Sequence, residues 1–290
     1  MRIGIEILPQ QRWREGAGLW RRAEAMGFDH AWTFDHLAWR SLVDEPWFAT
    51  VPTLTAAATV TSTIRLGTWV ASPNYRHPVT FAKELMSLDD ISGGRVLLGV
   101  GSGGTGVDAD VLGLPRLTGP QRQRRFEEFV ELLDLLLTQD RTTWSGEYFT
   151  AVDARMIPGS TQRPRMPFVV AANGPRGMAL AARRGEGWAT VGDGAAADES
   201  QWWQGVARLA ARFTEIEAEH GRSGMPRYLD VDTAAYTLDS VDHVEDSVGR
   251  ARELGFTDVL VHWPRASGIF AGRETVLDAL AERLPDLQKV

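Results

Sequence analysis

The chain holds 290 residues, 43% hydrophobic and 24% charged, with a formal net charge of −7 and no cysteine. Such usage argues for a globular protein and against disorder, and it excludes disulfides, thiolate metal centres and cysteine nucleophiles. An acidic surface repels phosphate backbones, so nucleic acid is not expected as a partner. No apolar run approaches the ~18 residues of a membrane span, and no cationic leader is readable ahead of the first apolar run, so the expectation is a cytoplasmic protein working on a small molecule.

In chain order, the first strand candidate covers residues 3–8, followed by a helix with Trp13 and Trp20 at helical spacing, both assigned to its core-facing side. Further strand candidates lie at 31–34, 64–71, 96–101, 168–172, 188–191, 228–236 and 259–262. Most are continuous apolar runs, as expected of parallel strands covered on both faces. Several follow a glycine that ends a helix, as in Met26-Gly27-Phe28, Gly93-Gly94 and Leu254-Gly255-Phe256. The intervening helices keep a 3.6-residue apolar period, shown by Phe126, Phe129, Val130, Leu133 and Leu137 and by Val206, Leu209, Ala210, Phe213 and Ile216. Strands alternating with helices in this number predict an α/β fold, a (β/α)8 TIM barrel with insertions in its βα loops, as one domain over residues 1–290. Two stretches break the rhythm, 101–119 and 144–167. Both are expected as excursions on the catalytic face, the second with a strand at 147–150, or alternatively as a hairpin closing one end of the barrel.

Barrel polarity brings the residues after each strand to one mouth. Asp35 and His36 follow the second strand, and His36 is the candidate for proton transfer, since histidine titrates nearest neutrality. His77 precedes Pro78 and a helix and reads as a cap, while the role of His262 stays open. Gly101, Ser102 and Gly103 open a glycine-rich loop, and Asn173, Gly174, Pro175 and Arg176 open a helix whose free amides and arginine suit a phosphate. A plain strand-to-helix turn would look the same. No His-x-His pair, His-Glu-x-x-His run or calcium loop is present, so no metal site is expected; Asp89-Asp90 and Asp108-x-Asp110 read as solvated carboxylates. A Gly-x-Ser-x-Gly elbow is also missing, which disfavours a serine hydrolase. Eleven tryptophans, six of them before residue 70, suit a mouth that stacks a planar cofactor or an apolar substrate.

The ordered set Met26-Gly27-Phe28-Asp29, Phe34-Asp35-His36, Ile64-Arg65-Leu66-Gly67-Thr68, Arg76-His77-Pro78 and Ser92-Gly93-Gly94-Arg95 running on through Gly101 resembles the luciferase-like monooxygenase superfamily. The likeness is to its branch using the deazaflavin coenzyme F420. It implies a cofactor ring across the mouth, backed by a bulge in the third strand with a cis peptide between Trp69 and Val70. Asp35 and His36 would lie near the ring edge, Gly101, Ser102 and Gly103 around the cofactor, and Asn173, Gly174, Pro175 and Arg176 at its phosphate. The implied activity is hydride transfer between F420 and a small organic substrate. The alternatives are an FMN-dependent monooxygenase fed by a separate flavin or F420 reductase, and a non-catalytic flavin-binding protein. A homodimer is implied as well. The sugar-phosphate dehydrogenases of the family carry a glutamate where this chain has Gly104 and a tryptophan where it has Arg40, which argues against glucose 6-phosphate as substrate.

Overall fold

The computed structural model describes residues 1–104 and 107–289; Thr105 and Gly106 of the glycine-rich stretch lie outside the described residues. Strand β1 (Arg2–Glu6) is followed by α1 (Trp13–Met26), β2 (His30–Thr33), α2 (Thr50–Val60), β3 (Arg65–Thr68), α3 (Pro78–Ile91) and β4 (Val96–Gly101). After β4 come the short α4 (Val107–Val111), α5 (Gly119–Thr138), the pair β5 (Arg141–Ser145) and β6 (Thr150–Arg155), then β7 (Phe168–Ala171) and α6 (Pro175–Arg184). The chain continues through β8 (Gly187–Thr190), α7 (Glu199–Glu219), β9 (Arg227–Asp230), α8 (Val241–Glu253), β10 (Asp258–His262) and α9 (Glu274–Leu287). Eight parallel strands close the barrel in the order β1-β10-β9-β8-β7-β4-β3-β2, which is the expected (β/α)8 architecture.

Local signals in the sequence account for several boundaries. Gly27 takes a left-handed φ of 90°, so that its own amide donates to the Glu24 carbonyl and that of Phe28 to Ala23, a conformation open to a residue without Cβ. His77 caps α3 by accepting from the Val79 amide, with Pro78 in the first turn, as read. Thr118 and Gln121 form a reciprocal capping box that starts α5. Trp20 is buried, but Trp13 is 37% exposed. The assignment of both rings to the core is therefore corrected: Trp13 opens α1 and lines a groove with residues of α1 and α2.

Inside the barrel, Trp32, Leu97, Val169, Ala189 and Leu260 pack as a core separate from the helix-to-sheet layer. Gly67 faces the Trp32 ring so closely that a Cβ there would overlap it, so the glycine makes room for the indole. The seventh strand is shorter than expected, ending at Asp230, because Asp232 leaves the ladder to accept from the backbone and hydroxyl of Thr237.

The 144–167 stretch is the hairpin alternative. Of residues 147–150, expected as a strand, 147–149 hold the turn between β5 and β6 and Thr150 opens β6, because Glu128 on α5 accepts from the amides of Tyr148 and Phe149 at 3.0 and 2.8 Å and from the Trp144 indole. Residues 156–167 then cross the N-terminal end of the barrel, where Gln162 bonds Asp89 and the Val96 carbonyl. Asp89 is consequently buried and not a solvated carboxylate.

Candidate active site

The ends of β2, β3, β4 and β7 are consecutive in the barrel, so the residues expected at the cofactor share one arc of the rim. Between the pairs Gly67↔Leu97 and Ala71↔Val100, β3 and its extension carry residues 68–70 where β4 carries only 98 and 99. That extra residue is a bulge. The Trp69–Val70 peptide within it is cis, and a Cβ on Gly101 would stand 2.7 Å from Val70 Cγ2. Gly101 thus lets the bulge lie against β4. Gly103, with φ of 67°, folds over the Asn74 amide, while Ser102 is half-buried beside it.

Asp35 and His36 part company after β2. Asp35 is fully buried and accepts from Tyr75 Oη at 2.5 Å and from both Nε and a terminal nitrogen of Arg76, at 3.1 and 2.6 Å. Burial pushes the Tyr75 phenol up, and the Asp35 charge adds to it. His36 stays partly exposed, and its Nδ1 lies 2.7 Å from Asp108 Oδ2. The other Asp108 oxygen accepts from the Leu37 amide at 2.7 Å. An acidic partner on Nδ1 assigns the proton to that nitrogen and leaves Nε2 to exchange protons with a ligand. The Trp47 indole and the Thr50 hydroxyl hold the carbonyls of His36 and Phe34, so the segment is fixed on both sides. Asp108 is 1% exposed; reading it as a solvated carboxylate is corrected, because α4 turns it back onto His36.

At the end of β7, Asn173 uses its side chain between strands, accepting from Thr190 Oγ1 at 2.6 Å and donating to the Gly192 carbonyl at 2.8 Å. Gly174 precedes α6 with no side-chain cap, Pro175 supplies no N–H, and a Cβ on Gly174 would meet open space. Among the described residues no acceptor meets the Arg176 and Gly177 amides, so two backbone donors at this helix start are free. Arg176 itself is paired with Glu127 through two contacts of 3.2 and 2.6 Å. Its charge is therefore largely neutralised by Glu127, which leaves the backbone amides as the unpaired donors of this turn.

The opposite arc holds a group that sequence reading left unassigned. Glu6, Asp230, Asp232 and His262 close the strands β1, β9 and β10 and are all buried. His262 Nε2 lies 3.2 Å from Glu6 Oε2, and its Nδ1 lies 3.1 Å from Asp232 Oδ2. Phe270 stacks on the imidazole at 3.6 Å between centroids. Burial raises the Glu6 carboxyl to about 8 and Asp230 to about 6. Burial alone would lower His262, yet the carboxylates of Glu6 and Asp230 outweigh it and raise the imidazole well above its usual value. The arrangement is a cationic imidazole among acids, with Glu6 keeping its proton near neutrality. Ligand-type atoms of Glu6, Asp230 and His262 lie within 4.8 Å of one another, so these three are also the residues that a cation would use; both nitrogens of His262 already face carboxylates. The signal for this cluster was present: Glu6 is one acid in the apolar run Ile3 to Leu8.

A pH experiment follows from Glu6. Its folded value near 8 stands above the ordinary 4.5, so between these pH values the unfolded chain releases a proton that the folded chain keeps. Stability from this group is lost as pH rises across that window and is unaffected below it. Glu6→Gln removes the titration. The variant's melting temperature should gain on the wild type steadily from pH 5 to 8, and parallel melting curves would show that Glu6 is not the titrating group.

The family model described as luciferase-like monooxygenase matches residues 1–266. The chain belongs to that family. It is 39% identical over 176 residues to an F420-dependent glucose-6-phosphate dehydrogenase of Beutenbergia cavernae, a match covering 57% of this chain and 49% of that protein. The chain thus spans about half the length of that relative. It is 31% identical over 264 residues to a 5,10-methylenetetrahydromethanopterin reductase of Methanopyrus kandleri, covering 87% of this chain and 69% of the relative. The solved structure of an F420-dependent secondary alcohol dehydrogenase with an F420-acetone adduct shares the fold, with a TM-score of 0.80 at 20% identity and complete coverage of both chains. Among the described residues, no helix is long and apolar enough to cross a membrane.

Proposed function

We propose that the chain is an oxidoreductase, one barrel domain that transfers hydride between the deazaflavin F420 and a small organic substrate. The observation that carries the reading is the 2.7 Å His36–Asp108 pair, which stands on the same rim arc as the β3 bulge and the uncapped start of α6. The residues present fit such a cofactor. Gly174 leaves open space beside the Arg176 and Gly177 amides for a phosphate, and Val70 on the bulge, with Gly101, Ser102 and Gly103, would back the ring. When bound, the deazaflavin supplies the hydride donor or acceptor. The chain's own work is to align the reactants, keep water out with the aromatic rim of Phe34, Trp39 and Trp47, and move a proton at His36 Nε2.

The two curated relatives are named as F420 enzymes or carry out a reductase reaction on a small molecule, and both support this reading. FMN with a separate reductase is the rival. Titrating the purified protein with F420 and with FMN separates the two: tight F420 binding and no oxygen uptake with reduced FMN is expected, and the reverse result would overturn the proposal. Gly174→Asp sets a carboxylate against the phosphate and should weaken cofactor binding by tenfold or more, on the order of 1–2 kcal/mol; an unaltered dissociation constant would move the phosphate elsewhere. A homodimer in the cytoplasm completes the proposal, and sedimentation equilibrium tests the dimer.

A further inference from the structure

Half-buried arginines without a carboxylate normally satisfy their guanidinium with oxygen acceptors, as Arg95 does here. It donates to the carbonyls of Ser92, Ile64, Ala58 and Thr61 and to the Thr61 hydroxyl. Arg125 on α5 does not. Among the described residues its one side-chain hydrogen bond is to the neutral Asn74 Oδ1, at 2.5 Å, and its Nε is sealed from solvent with no acceptor. No carboxylate lies within ion-pairing distance of Arg125 or of Arg122, one turn earlier, among the described residues. Burial lowers Arg125, Tyr148 opposes this in part, and the nearby Arg122 charge lowers it further. Both line a cleft with Asn74, Gly104, Arg116 and Leu117. The carboxylate lining it, Asp110, is already paired with Arg116 at 2.9 Å. The cleft therefore carries two uncompensated positive charges in a chain whose net charge is −7.

We infer that Arg125 and Arg122, with Asn74 holding Arg125 through Oδ1 and its own amide nitrogen on the Gly104 carbonyl, form an oxyanion subsite, separate from the start of α6, that takes a phosphate or carboxylate group of a ligand. An oxyanion in the cleft would accept from the guanidinium groups of Arg125 and Arg122 that line it and balance both cations. Its source is either the acidic tail of the cofactor or an anionic substrate, and the subsite stands on the cleft itself whichever cofactor the mouth holds.

Binding of radiolabelled inorganic phosphate, measured by equilibrium dialysis at constant ionic strength, tests the inference with Arg125→Met and Arg122→Gln, each in the wild-type and the Gly174→Asp backgrounds. Phosphate affinity should fall at least tenfold for Arg125→Met in both backgrounds, with Arg122→Gln following in the same direction. The Gly174→Asp change alone should leave this component in place. Circular dichroism checks folding, and the Arg122 change, at a half-buried side chain that donates to the Leu117 carbonyl, keeps the test open should the Arg125 variant not fold. Phosphate binding that ignores both arginine changes, or that vanishes with Gly174→Asp alone, overturns the subsite. Deazaflavin with and without its acidic tail then identifies the source. Weakening confined to the tailed form assigns the subsite to the cofactor, and weakening of neither form beside lost phosphate binding assigns it to the substrate.

Discussion

Replacing His36 with alanine should lower turnover by ~10²–10⁴-fold while the cofactor dissociation constant moves by no more than about threefold. The asymmetry follows from geometry. His36 is partly exposed at the mouth and anchored through Nδ1 to Asp108, which leaves Nε2 as its proton-exchanging atom. The anchors expected for the cofactor lie on other strands, at the bulge of β3 and the start of α6. Asp108 is a positioning residue, so Asp108→Asn should lower kcat with little change in KM, where general unfolding would reduce the amount of active enzyme without that split. Stopped-flow kinetics beside a cofactor titration gives both quantities. Full turnover in the alanine variant would transfer proton handling to the opposite arc, where Glu6 and His262 hold protons near neutrality.

Legibility in the sequence followed the range of the interaction. The eight barrel strands stood out because parallel strands covered on both faces are locally apolar, and His77 and Pro78 announced a helix start through a contact within two residues. The segment 147–149 misled because Tyr148 and Phe149 have strand propensity, whereas its shape is imposed by Glu128, which lies some twenty positions earlier. Asp108 was unreadable for the same reason, its partner His36 being 72 positions away. Arg176 was legible as a cation beside a turn, but its neutralisation by Glu127 depends on α5 packing against α6. The acid cluster was half legible: Glu6 interrupts an apolar strand, yet only barrel closure between β1 and β10 sets it against His262.

Asp35→Ala should be the most destabilising single change at the rim, by roughly 3–5 kcal/mol. Asp35 is 0% exposed and joins Tyr75 and Arg76, whose own side chain is only 13% exposed. Removing the carboxylate strands a guanidinium that has one remaining acidic partner, the more exposed Glu84, and leaves the buried Tyr75 hydroxyl without its acceptor. For a chain of this length such a loss lowers the melting temperature by about 10 °C. Asp35→Asn keeps the shape and one acceptor and should lose less. Because Asp35 is joined to His36 through the backbone and to α3 through Arg76, the alanine variant should also loosen the histidine, so that surviving folded protein shows reduced turnover. Differential scanning calorimetry of both variants decides the matter. An alanine variant as stable as the wild type would mean that the Arg76 charge finds enough compensation in Glu84 and solvent, and that the rim does not depend on this ion pair.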